Sequence, residues 1–498
     1  MVTSRSNSGS NFSTNFTSAP AAFLQLGSKL SAYTGSQSTR VHAALRDSIL
    51  NGELASGTQL PPTRTLAQWL GVARHAVVSA YESLQGDGLL VAHVGSGSFV
   101  APGLGLHARP EPKALTPLVL PEAQAPKPFA LGVPLADAAF QQRLAAAVRR
   151  HMLSPEAATL GYGDPRGSAG LRDVIAKELA MTRGVPCSAE QIVITAGTQQ
   201  VLRLCAQALM KPGDVVWMED PGYPPARRTL MAAGLQPRAA AMDGEGIAAL
   251  ASAEGLGAAK AVYVTPSHQF PTGTVMSLPR RLALLEWARS NQAWILEDDY
   301  DSDFRYKGAP LTALAGLDQI ERVIYIGTFS KSAFPALRLA YAVLPEAALP
   351  AVLAARSTFD RFAPTMLELA LTDTMLDGSM AQHLRRTRQH CRKARDLLVR
   401  VLQNRCRGHL MITVPEQGTH LLAWLPPGVD AAAAHRIREA SGLAMTLLSE
   451  TRFECGPRER EAFVLGFAGF GMREIEQAAD RLCTAVSTQL VGHLNSLD

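Results

Sequence analysis

From Ser38 to Leu54 apolar residues return every three or four positions, and Val41, Leu45, Ile49 and Leu50 fall on one face of a predicted helix. The stretch PPTRTLAQWLGVARHAVVSAYESLQGDGLL repeats that spacing on both sides of Gly71. It predicts two short helices sharing an apolar side of Leu66, Leu70, Val72, Val77, Tyr81 and Leu84, with Gly71 at the tight turn between them. In LLVAHVGSGSFVA the period changes: two short β-runs meet at a tip of Gly95, Ser96 and Gly97, the outline of a wing. Beyond Phe129 the pattern becomes nearly continuous apolar runs, QIVITAG, VVWMED, AVYVTP, WILEDDY and RVIYIGT, separated by helical stretches. Such runs suit strands buried on both faces of a mainly parallel sheet, so an α/β sandwich is predicted.

Prolines at 102, 110, 112, 117, 121, 126 and 128 separate the two patterns and disfavour regular structure between them. The reading is therefore a disordered Ser/Asn-rich tail over 1–35, a helix-turn-helix with a wing over 36–101, a proline-rich linker over 102–128 and a large body over 129–498. The 498-residue length agrees with more than one core. A net charge of +5 is compatible with a polyanionic partner, but a chain of this size carries it equally well as ordinary surface charge. Six cysteines with no metal-ligand spacing read as reduced thiols of a cytoplasmic protein. No apolar run approaches the roughly 18 residues that span a bilayer, so no membrane partner is expected.

Polar residues cluster just past the ends of the strand-like runs, where open α/β sheets bind ligands. TAGTQQVL leads through Gly197 and Thr198 into a helix whose N-terminus suits a phosphate. MEDPGYPP sets Tyr223 after a Pro-Gly turn, where its ring can cover a flat ligand. WILEDDY places Asp298 and Tyr300 at the end of a buried strand, and a buried carboxylate needs something cationic to meet it. In GTFSKSAFPALR, Lys331 follows Asp298 by one crossover; such a lysine can form a Schiff base, while Thr328, Ser330 and Arg338 offer phosphate partners. Each fragment alone has an ordinary structural explanation; their shared position at strand ends favours one site.

Residues 38–101 resemble the GntR-type winged helix in LP-x-x-R-x-LA, LGV-x-R, AY-x-x-L and GSG-x-FV. The resemblance implies that Arg64, Arg74 and His75 face double-stranded DNA, with Gly95, Ser96 and Gly97 at the wing tip and the arginines weighted as second-helix readers. Ala73 and Ala76 stand where small polar residues are usual, so two hydroxyls able to touch DNA are absent. GYGDPRG, TAGTQQ, EDPGY, TPSHQFPTG, EDDYDSDFRY and GTFSKSAFPALR follow in an order similar to MocR/GabR-type regulators. These join the winged helix by a linker to a fold-type-I aminotransferase-like domain that binds pyridoxal 5'-phosphate, an α/β/α sandwich with a small C-terminal α+β subdomain.

The resemblance implies that Lys331 carries the cofactor aldehyde, Asp298 pairs with the pyridine nitrogen, Tyr300 contacts the ring hydroxyl and Tyr223 stacks on the ring. Gly197, Thr198, Thr328, Ser330 and Arg338 would hold the phosphate, and His268 joins the cofactor-binding set. Tyr162 resembles the tyrosine lent to a neighbouring subunit, which implies a domain-swapped homodimer. An aminotransferase also needs an arginine for the substrate carboxylate, and AFVLGFAGF over 462–470 has none. Arg227, Arg228, Arg452 and Arg458 are possible substitutes, each more simply read as a surface charge. Phe270 stands where aminotransferases carry an asparagine. These departures favour a regulator sensing pyridoxal phosphate or an amino compound; the alternative is an active aminotransferase with an accessory DNA-binding domain.

Overall fold

The computed structural model describes residues 21–103, 125–251, 257–406, 408–453 and 460–494. Two compact bodies divide the chain between Ala123 and Gln124. Most of the proline-rich linker, 104–124, and the first 20 residues lie outside the described residues.

In the first body, helices α1 (Ala21–Lys29), α2 (Gln37–Leu50), α3 (Thr63–Leu70) and α4 (Arg74–Gly86) precede strands β1 (Leu90–His93) and β2 (Gly97–Val100). The Ser36 hydroxyl accepts from Thr39 N and caps α2. Gly71, with φ 65°, ends α3 in the left-handed conformation that a residue with a Cβ adopts at a cost. Val41, Leu45, Ile49, Leu66, Val77, Tyr81 and Leu84 meet in one buried core, with Leu70 and Val72 half-buried against it. The expected tail is corrected here: α1 lies inside 1–35, and Phe23 and Leu26 are buried in that same core. Its burial depends on α2 and α3, with Phe23 6.3 Å from the Trp69 ring, and local periodicity does not reveal such partners. The β1–β2 hairpin pairs His93 with Gly97, and Gln59 Nε2 donates to the Ser96 carbonyl at 2.7 Å, tying the wing tip to the body.

The second body is built on β3 (Ile192–Thr195), β4 (Val215–Asp220), β5 (Gln236–Asp243), β6 (Gly246–Ile247), β7 (Ala261–Val264), β8 (Trp294–Asp299), β9 (Val323–Thr328) and β10 (Ala340–Val343). Their order across the sheet is β3-β10-β9-β8-β7-β4-β5-β6. Pairings β9–β8, β8–β7, β7–β4 and β4–β5 are parallel; β10 is antiparallel to both β3 and β9. Strands β3, β9, β8, β7 and β4 therefore run in one direction and present their C-terminal ends along one edge, as the apolar runs predicted.

β11 (Met411–Thr413), β12 (His420–Trp424), β13 (Thr446–Leu447) and β14 (Ala462–Gly466) form a smaller antiparallel sheet. Helices Ser379–Arg405, Ala431–Ser441 and Met472–Leu494 cover it and complete a separate hydrophobic core. This is the expected α+β subdomain. The reading of six free thiols is corrected: Cys406 and Cys483 form a disulfide with Cα atoms 5.2 Å apart, while Cys187, Cys205 and Cys391 are free. The packing of two helices joins the bonded pair across a sequence separation of 77 residues, so spacing along the chain gave no sign of it. Cys455 lies outside the described residues. Among the described residues no helix is long and apolar enough to cross a membrane.

Candidate cofactor cavity and DNA-facing surface

In the first body, Arg64, Arg74 and His75 are exposed, as are Gly95, Ser96 and Gly97. Arg64 belongs to α3, so Arg74 and His75 are the basic residues that open α4. Ala73 is the residue before α4 and offers no side-chain cap; its N–H donates to Gln37 Oε1 at 3.0 Å instead. Ala76 is 1% exposed and faces the core, so no DNA contact is lost there. Of the two hydroxyls counted as missing, only the one at 73 would reach solvent.

In the second body, the C-terminal ends of β3, β4, β7, β8 and β9 converge on a cavity of roughly 310 Å³. Gly197, Thr198, Tyr223, Asp298, Tyr300, Thr328, Ser330, Lys331 and Arg338 all line it. Strand alternation explains why adjacent acids differ. Asp298 faces the cavity, whereas Asp299 accepts from Arg183 Nε at 2.7 Å and from the Tyr325 hydroxyl at 2.5 Å.

Asp298 Oδ2 accepts from the Tyr263 hydroxyl at 2.6 Å, but its Oδ1 is buried with no partner. Burial pushes this carboxyl up to about 7, with the Tyr263 hydrogen bond and the Lys331 charge opposing. An unmatched acceptor here fits a protonated pyridine nitrogen. Burial lowers the Lys331 ammonium from its ordinary value, against the pull of Asp301 and Asp298, which makes a nucleophilic amine easier to form. Gly132, with φ 75°, leaves Lys331 room: a Cβ there would sit 2.9 Å from Nζ.

The opposite end of the cavity fits a phosphate. Gly197 has φ 141°, accessible essentially to glycine, and delivers the N-terminus of helix Thr198–Leu209 to the cavity. A Cβ on Gly197 would lie 3.4 Å from Arg338 Nη1, so backbone and guanidinium approach one another closely. Arg338 itself is held at φ 55°, ψ 42°. Ser330 N donates to Thr328 Oγ1 at 3.1 Å and the Thr328 hydroxyl donates to Ser330 Oγ at 3.0 Å, which sets both beside Arg338 on the cavity wall. The donor set therefore matches a pyridoxal phosphate: an acceptor for the ring nitrogen, an amine for the aldehyde and hydroxyl, guanidinium and backbone groups for the phosphate.

Two expected residues stand apart. His268 does not line the cavity; it sits behind the wall, 3.1 Å from the Tyr300 hydroxyl and 2.9 Å from Asp301 Oδ2. Tyr162 is 78% exposed, with the Arg361 guanidinium 4.1 Å over its ring, and reaches no part of the cavity of its own chain. Tyr263, Phe270, Thr419, His420 and Gly132 line the cavity although sequence reasoning gave none of them a site role. Tyr263 carried a signal: a phenol inside the buried run AVYV needs a hydrogen-bond partner, and Asp298 is it. Phe270 lies edge-on to Tyr223 at 5.5 Å and to Tyr300 at 6.3 Å.

Of the proposed carboxylate-binding arginines, Arg227 lies over the Phe453 ring and donates to the Arg452 carbonyl, and Arg228 is exposed. Arg458 is outside the described residues. Among the described residues, Arg338 is the single guanidinium lining the cavity.

Comparison with known proteins agrees with both bodies. Residues 37–100 match the family described as bacterial regulatory proteins, gntR family, and 129–482 match aminotransferase class I and II. A probable rhizopine catabolism regulatory protein, MocR, of Rhizobium meliloti is 32% identical over 469 residues, covering 90% of this chain and 93% of the relative. The HTH-type pyridoxine biosynthesis transcriptional regulator PdxR of Corynebacterium glutamicum is 32% identical over 72% of this chain and 77% of its own. The structure of Pyrococcus horikoshii kynurenine aminotransferase, solved with pyridoxamine phosphate, superposes with a TM-score of 0.66 at 26% identity over 74% of this chain and 92% of that one. The chain belongs to the MocR-type regulators, DNA-binding proteins in which a gntR-family winged helix is joined to a pyridoxal-phosphate-binding class I and II aminotransferase domain.

Proposed function

We propose that this protein is a cytoplasmic transcriptional regulator that reads the presence of pyridoxal phosphate, or of an amino compound meeting it, through the cavity around Lys331. One observation carries the reading: a buried, unpartnered oxygen of Asp298 and a partly desolvated Lys331 line the same cavity that Gly197, Thr328, Ser330 and Arg338 furnish for a phosphate. When bound, pyridoxal phosphate supplies an aldehyde for amines and an electron-withdrawing ring. Asp298 would hold the ring nitrogen, Lys331 would hold the aldehyde carbon and exchange it for a ligand amine, and Tyr223 and Phe270 would exclude water from the ring faces. Arg338, the single guanidinium lining the cavity among the described residues, would serve the phosphate.

Coupling to DNA requires that the effector bind two arrangements of the dimer unequally. A homodimer supplies two winged helices for two half-sites. Met152, Leu153, Leu160 and Tyr162, all exposed within 152–162, support an interface there that brings Tyr162 to the neighbouring cofactor site.

The test is footprinting of the full-length protein on its own upstream DNA, with and without pyridoxal phosphate and a panel of amines. A footprint that changes with cofactor in the wild type and not in Lys331→Ala is expected. A footprint indifferent to both overturns the sensing reading. Sustained turnover of an amino donor with a keto acid at ordinary enzymatic rates would establish the aminotransferase alternative.

A further inference from the structure

Behind the cavity wall, Tyr300 leads to a buried pair. His268 Nδ1 lies 2.9 Å from Asp301 Oδ2 and 3.1 Å from Oδ1, and the Tyr300 hydroxyl is 3.1 Å from the same nitrogen. His268 is 2% exposed and Asp301 3%. An imidazole nitrogen facing a carboxylate carries a hydrogen, and a nitrogen carrying a hydrogen cannot accept one. The other ring nitrogen, Nε2, is buried with no partner, so it has no acceptor to receive a hydrogen of its own. The imidazole hydrogen therefore belongs on Nδ1, shared between Asp301 and the Tyr300 oxygen. Tyr300 can only accept there, which frees its own hydrogen for an acceptor elsewhere.

The surroundings hold the pair in place. Gly418, at φ 89°, lets the chain pass where any side chain would overlap the His268 ring, and its Cβ would stand 2.7 Å from Asp301 Oδ2. A Cβ on Gly273 would lie 3.2 Å from Nε2. Phe270, the aromatic neighbour of Tyr300 in the cavity, brings no side-chain donor. Of the hydroxyls lining the cavity, those of Tyr263 and Thr265 are already donated to Asp298 and Glu219, whereas the Tyr300 hydrogen is left free for a ligand oxygen.

We propose that His268 and Asp301 are positioning residues that turn the Tyr300 hydroxyl hydrogen into the cavity, toward the ring oxygen of a bound pyridoxal group. This rests on the cofactor reading above. A hydrogen bond to that oxygen stabilises its anionic form and weakens its hold on the proton shared with the neighbouring Lys331-bound nitrogen. The pair therefore sets the pH at which the lysine-bound cofactor loses that proton, and with it the form that meets an incoming amine. Other charged or titratable groups face Tyr300 and His268 as well: Asp298 and Asp299 on β8, Glu219 on β4, Lys331 after β9 and His420 on β12. These stay constant across the variants below.

The test uses the full-length protein reconstituted with pyridoxal phosphate, its lysine-bound absorption band titrated with pH, and thermal stability recorded in parallel. Tyr300→Phe should raise the apparent pKa of the band by about one to two pH units, the size of a hydrogen bond to a charged group. His268→Leu and Asp301→Leu should shift it in the same direction by a substantial part of that amount. His268→Asn, whose amide N–H can occupy the Nδ1 position, should return it toward wild type. The double variant His268→Leu/Tyr300→Phe should titrate like Tyr300→Phe alone. A His268→Leu protein that binds the cofactor and titrates as wild type, or shifts that add in the double variant, overturns the proposal. If His268→Leu does not fold, Asp301→Leu and His268→Asn decide by the same criterion. If the wild type forms no lysine-bound band, the cofactor reading itself has failed, a distinct result.

Discussion

Asp298 keeps one carboxylate oxygen matched to Tyr263 and the other unmatched, and burial raises its folded-state value to about 7. In the unfolded chain it returns near 4, so the folded cofactor-free state holds the extra proton between those values. Stability from this group is fully present below about pH 4 and is lost as pH rises through about 7, a swing of at most about 4 kcal/mol. Asparagine cannot titrate. The melting temperature of cofactor-free wild type relative to Asp298→Asn should therefore fall between pH 5 and pH 8, and calorimetry of both proteins checks it. Glu297, pushed up to about 7 by burial, titrates in both and cancels. Glu219, also raised to about 7 by burial, is raised further by the Asp298 charge, so the stability it loses with pH is larger in the wild type and acts in the same direction. The same substitution should weaken pyridoxal phosphate at least about tenfold by spectroscopic titration, since a charge-assisted hydrogen bond is lost. Asp298 and Lys331 were legible because their chemistry is costly in a strand end. His268–Asp301 was not, because its logic appears only when residues 33 apart in sequence share one hydrogen.

At the scale of elements, strand-forming runs declared themselves: all five apolar stretches are strands of the main sheet, four of them in its parallel run. β10 is harder to read, because the four residues AYAV are too short to show a period and gain their place by antiparallel pairing between β3 and β9. Helix α1 escaped for a different reason, since its partners lie in the winged-helix core. Local rules do predict what α4 lacks. Ala73 precedes the helix in an extended conformation, φ −67° and ψ 140°, with no side-chain cap. Ala73→Ser should stabilise α4 by about 1 kcal/mol, slowing amide exchange in that helix about fivefold in the full-length protein. Unchanged exchange would mean that the introduced hydroxyl does not accept from the first-turn N–H groups, since Gln37 Oε1 takes only the N–H of residue 73 itself. At the other body's strand-to-helix turn, Gly197→Ala should cost on the order of 1–3 kcal/mol of backbone strain and crowd Arg338, so phosphate-dependent cofactor affinity should fall with it.

Nothing in one chain explains why Tyr162 is exposed beneath Arg361, or why Met152, Leu153 and Leu160 share its stretch. In the proposed homodimer a second copy would cover them, and that reading makes a quantitative prediction for mixed dimers. If each cofactor site joins Lys331 of one protomer to Tyr162 of the other, Lys331→Ala and Tyr162→Ala chains should complement one another. In such a mixed dimer one site combines both defects and the other has neither. Pyridoxal phosphate should then occupy half of the sites with wild-type affinity, although the Lys331→Ala homodimer forms no lysine-bound band and the Tyr162→Ala homodimer binds more weakly. Differently tagged chains, purified as the mixed species and titrated by absorption, measure it directly. If Tyr162 acted within its own chain, the single lysine-bearing protomer would carry the tyrosine defect, and every lysine-bound site would show the weaker affinity. The stoichiometry and affinity of one titration thus separate a shared site from a private one.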